Sequence, residues 1–164
     1  MSTPRIGIQA YTAITYIATL LIACTPPPLS TANTIVQVET DKPFEDVMFE
    51  LEFAITEQNF RITGRNSIGK GLRERGYEEF PEVEVIHFCN LEYVYEALHI
   101  DPAFIAQMPC RITVHTEERK TVISLILLPE NHANDRVNNF SRRMNAILRE
   151  IGDFVLEQDN LGDS

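Results

Sequence analysis

Basic residues are scarce in this chain. Fourteen lysines and arginines stand against 24 aspartates and glutamates, a net charge of −10. Nucleic-acid binding is excluded as a main role, because phosphate recognition needs clustered lysine and arginine. The same deficit excludes a purely electrostatic hold on anionic lipid. Cysteine is scarce too: three residues, an odd number that leaves one over in an exported protein. Internal repeats and low-complexity blocks are absent. No serine, histidine and aspartate fall into an arrangement that marks a nucleophile, so an enzymatic role has no recognisable machinery behind it. Hydrophobic residues make up 44% of the chain, a content that fits a folded globular domain.

One stretch is uncharged and largely apolar, diluted by Gln9, Thr12, Thr15 and Thr19. Ile6 to Cys24 follows the only early charge, Arg5, and ends in Leu21-Ile22-Ala23-Cys24. A basic start, an apolar run and a small residue before the cut describe a secretory signal. Leu-Ile-Ala-Cys also resembles the lipobox of bacterial lipoproteins, whose cysteine becomes the lipid-bearing first residue. Residues 1–23 are therefore expected to be a lipoprotein-type signal peptide, with Cys24 the lipidation site. Ordinary cleavage and an uncleaved anchor are the alternatives. Residues 24–33, with Pro26-Pro27-Pro28, read as an extended tether, since proline fixes its own backbone and lacks an amide donor. The expected location is the periplasmic face of a bacterial membrane. Thr25, rather than an aspartate after the cysteine, favours the outer membrane in a Gram-negative cell.

The remainder, 34–158, is long enough for one domain with its own core; the tail, 159–164, is polar. Alternating β-branched residues predict strands at Thr34–Glu39, Phe60–Thr63, Val83–Phe88, Cys110–Thr116 and Thr121–Leu127. Helical spacing predicts a helix from Phe44 through Ile55, capped by Asp41, and another after Asn90. A long one starts at Asn134 or Asp135 and carries Val137, Phe140, Met144, Leu148, Ile151 and Val155 on one stripe. No strand reads as a long apolar run covered on both sides. The expected fold is therefore α+β, a compact two-layer domain with helices on one face of a mostly antiparallel sheet of about five strands. A ferredoxin-like split βαβ order is the alternative.

Three segments carry a likeness. Ile68-Gly69-Lys70-Gly71-Leu72-Arg73-Glu74-Arg75-Gly76, then Phe88-Cys89-Asn90-Leu91, then Met108-Pro109-Cys110-Arg111-Ile112 resemble the family called domain of unknown function 302, in order and in spacing. Leu91 stands where many members have proline. The resemblance covers about Thr34 to Pro129. It implies a two-layer α+β fold able to form a homodimer, and no established reaction or catalytic residue.

Lipidation of Cys24 would leave Cys89 and Cys110 as an even pair in an oxidising compartment. Three readings compete for them: a structural disulfide, two buried thiols that pack as small hydrophobes, and a metal or redox site. For a metal, His87 and Cys89 share a strand face and Met108 precedes Cys110 by two. These sulfur and imidazole ligands suit copper or zinc. If the strands bearing the two cysteines are antiparallel neighbours, the thiols can meet; if parallel, they lie about 20 Å apart. Lys70, Arg73 and Arg75 form the one locally basic patch, a candidate for a small anion or an acidic partner. Gly64 to Gly71 imitates a phosphate loop, but Gly71 occupies the position where serine or threonine would hold magnesium. The leading expectation is a non-enzymatic envelope lipoprotein, a small module that binds an unidentified ligand or envelope protein without a resident cofactor. The alternative is a periplasmic copper, zinc or thiol-redox accessory protein using Cys89 and Cys110.

Overall fold

The alternating segments form five strands: β1 (Thr34–Thr40), β2 (Arg61–Ser67), β3 (Val83–Cys89), β4 (Cys110–Glu117) and β5 (Lys120–Leu127). The helices are α1 (Phe44–Glu57), α2 (Ile68–Arg73), α3 (Leu91–Ile100) and α4 (Asp135–Glu157), with a 3-10 turn over Pro102–Gln107. The structure is a computed structural model and describes residues 34–157. The expected signal (1–23), the tether (24–33) with Cys24, and the tail (159–164) lie outside the described residues. None of the described helices is long and apolar enough to cross a membrane.

The sheet order is β1-β5-β4-β3-β2, and every neighbouring pair is antiparallel. A ferredoxin-like split βαβ would set a single strand between β1 and β2; here β5, β4 and β3 all lie between them and β1 is an edge strand, so that order is not adopted. From β2 to β5 the strands follow one another across the sheet. β1 sits outside β5, so α1 carries the chain from one edge strand to the other.

One face of the sheet presents Ile86, Phe88, Ile112, Val114, Ile123 and Leu125, all fully or almost fully buried. Leu51 and Ile55 of α1 and Leu148 and Ile151 of α4 close over them in one apolar cluster. This is the expected α+β architecture, with the helix layer on that face. Burying a side chain of this size contributes about 1.5–3 kcal/mol. Most polar groups inside the layer are tied down; among the described residues the Ser141 hydroxyl of α4 is buried without a partner. Asn145 of α4 accepts from the backbone amide of Leu128 at 2.8 Å and donates to its carbonyl at 2.9 Å, so the helix is pinned to the exit of β5.

Capping explains most helix starts. The Asn90 side chain accepts from the amides of Glu92 and Tyr93, and the Asp101 side chain from Ala103 at the 3-10 turn. The start of α1 differs from expectation. Pro43 occupies the capping position and no side chain caps the helix, so Asp41 does not serve there. β2 also runs further than its apolar residues suggest, through Gly64 to Ser67, with a bulge between Ile62 and Gly64. Its Arg65 explains the extension: it pairs opposite Ile86, and its guanidinium meets the carboxylates of Glu52 and Glu84. Burial alone would lower the Arg65 pKa, but the bond to Glu84 and the surrounding carboxylates raise it above its ordinary value. Glu84 is buried and also accepts from Ser67 at 3.1 Å.

Candidate functional site: a sulfur-lined cavity

β3 ends where β4 begins, because the two strands are antiparallel and Phe88 pairs with Cys110. The ends carrying Cys89 and Cys110 are therefore adjacent, and both residues are free thiols. They line one cavity of about 30 Å³, room for roughly a single water-sized body. Cys110 lies on the core face with Ile112 and Val114 and packs against the apolar cluster. Cys89, the last residue of β3, reaches the cavity from the strand's end, where the chain turns into α3.

Met108 enters the same cavity from the exit of the 3-10 turn, across the Met108–Pro109 peptide, which is cis. A fourth sulfur comes from Met144, buried in the middle of α4. Phe60, Phe104 and Phe140 complete an apolar wall. Asn90 also borders the space, but its amide is engaged: it donates to the carbonyl of Asn59 at 2.9 Å while its oxygen caps α3. Among the described residues, no charged side chain lines the cavity.

The surroundings hold both thiols in the protonated state. Burial raises the Cys89 thiol, with the amide of Asn90 partly offsetting it. Burial also pushes Cys110 up to about 11, helped by the repulsion a charged Cys89 would exert. A thiolate, not a thiol, is the nucleophile and the metal ligand. Neutral thiols in this site exchange slowly with disulfides, whereas a soft cation can bind by displacing the proton.

His87 is not in the cavity. It alternates onto the opposite sheet face, where its Nε2 lies 3.2 Å from Asn66 Nδ2. His115, on the same face, lies 3.6 Å from the Glu117 carboxylate. Among the described residues, no group of three or more histidine, cysteine, aspartate or glutamate side chains could hold a metal ion. Of the four residues read from sequence as a metal set, the structure brings together Cys89, Met108 and Cys110 and sets His87 apart. Met144 was read as core, as its spacing within the α4 stripe implies. Nothing local in sequence connects it to the cysteines.

The basic residues make contacts within their own loop, with Lys70 and Arg75 exposed. Arg73 pairs with Glu82 at 2.7 Å and donates to the carbonyls of Phe80 and Pro81. Lys70 lies 4.0 Å from Glu74, and Arg75 donates to the carbonyl of Gly71. The glycine of the mock phosphate loop has a packing role. A methyl group on Gly69 would lie 2.4 Å from the carbonyl oxygen of Pro81.

A crystal structure of an uncharacterized conserved protein of the DUF302 type from Bacillus stearothermophilus has a similar fold. Its TM-score is 0.67 at 16% sequence identity, covering 74% of this chain and 97% of that one. At that identity the likeness bears on the fold alone. No curated protein matches the chain. The sequence profile of the family described as Domain of unknown function DUF302 matches residues 36–151, well over half of the chain, and the chain belongs to that family.

Proposed function

We propose that this protein is a non-enzymatic envelope lipoprotein whose domain is a small binding module, and that it binds a metal ion, copper or zinc, between Cys89 and Cys110. The observation that carries the reading is the meeting of two free thiols from neighbouring strands in one small cavity with Met108 beside them. Copper and zinc both accept thiolate ligands. Thiol–disulfide exchange needs a standing thiolate fraction that the raised thiols do not supply at neutral pH, whereas an ion displaces the proton as it binds, at some cost in affinity. The membrane anchor rests on Leu21-Ile22-Ala23-Cys24, and mass spectrometry of the mature amino terminus tests it: an unmodified terminus downstream of Cys24 removes the anchor from the proposal.

The metal reading is tested on the reduced full-length chain, loaded separately with copper(I) and zinc(II), desalted and assayed by elemental analysis. About one ion per chain is expected with at least one of the two metals, falling to background in the Cys89→Ser, Cys110→Ser double variant. Background metal in the unaltered chain would falsify the proposal.

A further inference from the structure

We infer that Met144 and Met108 complete an all-sulfur site with Cys89 and Cys110, and that the ion it selects is copper(I) rather than zinc(II). The inference rests on the metal reading above and narrows it. The thiols come from the sheet, at the end of β3 and the start of β4. The thioethers come from the other layer, Met144 from α4 and Met108 from the 3-10 turn, and all four residues line the same cavity.

The chemistry of the walls separates the two ions. A bound water needs two to four polar partners. Here the Asn90 amide is already engaged, Gln107 and Tyr93 are the other polar residues at the border, and the rest of the lining is aliphatic, aromatic or sulfur. An ion therefore sheds most of its hydration shell and takes its soft ligands from sulfur. Thiolate and thioether together select copper(I). Zinc in a closed site takes four ligands from cysteine, histidine and carboxylates, and among the described residues no cluster of even three such groups exists. Volume is consistent with this: about 30 Å³ has room for one bare ion.

A route inward is present. Cys89 lines the cavity and also an open surface groove with Arg61, Thr63, Leu91 and Glu92. Cys110 borders a second opening beside Pro109 and Arg111, and Met144 is buried behind the thiols. At each thiolate that forms, an S–H bond breaks, an S–metal bond forms and the proton leaves to solvent. The oxidation state of copper does not change. With one thiolate the occupied cavity is electrically neutral, which suits its apolar walls.

The test uses the reduced full-length chain under anaerobic conditions, with copper(I) supplied through a chromophoric competing chelator and zinc(II) titrated separately. Met144→Leu and Met108→Leu nearly conserve volume. Each is expected to weaken copper(I) binding at least tenfold while leaving zinc(II) binding unchanged. X-ray absorption of the copper-loaded unaltered chain is expected to show three or four sulfur neighbours, a readout that needs no variant to fold. Unchanged copper(I) affinity in both leucine variants, or a shell of two sulfurs, means that the methionines are core packing only. That result overturns this inference and leaves the cysteine site standing. A chain that binds neither ion overturns both.

Discussion

The thiol of Cys110 holds its proton more tightly in the folded chain, at about 11, than at its ordinary value of 9.0. Folding therefore favours the protonated form. The resulting stability is fully present below pH 9 and is lost as pH rises towards 11. Two units correspond to about 2–3 kcal/mol, since each unit is about 1.4 kcal/mol. Urea unfolding at pH 7.5 and 10.5 is expected to show the unaltered chain losing about 2 kcal/mol more than Cys110→Ala over that interval. Equal losses would mean that the thiol is not held in the folded state. The pairing of Cys89 with Cys110 could be posed from sequence, because it depends only on two neighbouring strands and their direction. His87 could not be placed so simply. Alternation puts it on the same strand face as Cys89, yet Cys89 reaches the cavity only because it ends the strand. The burial of Glu84 is not legible in sequence, because its partner, Arg65, lies in a segment without strand periodicity and comes near it only once β2 is paired with β3.

Elements with strong periodicity were legible: β1, β3, β4, β5, α1, α3 and α4 all lie close to where spacing places them. The Gly64–Gly76 stretch was not, because its order comes from neighbours rather than from its own residues. Ile68–Arg73 is a short helix whose Gly69 seats directly on the chain entering β3. A β-carbon there would sit 2.4 Å from the Pro81 oxygen and 2.7 Å from the Val83 nitrogen, both backbone atoms that cannot swing aside. Alanine normally improves a helix by about 1 kcal/mol over glycine. At Gly69 the overlap wins, and Gly69→Ala is expected to destabilise the domain by about 1–3 kcal/mol. Gly71 is the internal control. Its nearest contact is the mobile end of Arg75 at 3.3 Å, so Gly71→Ala should be neutral or stabilising. Thermal melts of the two variants decide the matter, and equal effects would show that α2 is not held against β3.

Across the whole molecule, strand order was the part that local pattern could not supply. Periodicity says which residues face a core, not which strand lies beside which, and the β1–β5 pairing joins residues as far apart as Thr34 and Leu127. The antiparallel layer was still foreseeable, because no strand had the unbroken apolar character of one covered on both faces. The cavity depends on this long-range order. Its four sulfurs come from the end of β3, the exit of the 3-10 turn, the start of β4 and the middle of α4, so only the assembled layers present them together. An ion held there favours the folded chain by mass action, about 2.7 kcal/mol at free ion 100-fold above the dissociation constant. For a domain of this size that amounts to a rise in melting temperature of about 10 °C. Copper(I) is expected to produce the rise in the reduced full-length chain. Zinc(II) should produce a smaller one, and the Cys89→Ser, Cys110→Ser double variant should show neither. Cysteines of the unfolded chain also bind copper(I), which subtracts from the rise without reversing it. An equal rise in the double variant would place the stabilising ion elsewhere on the chain and detach the cavity from the fold's stability.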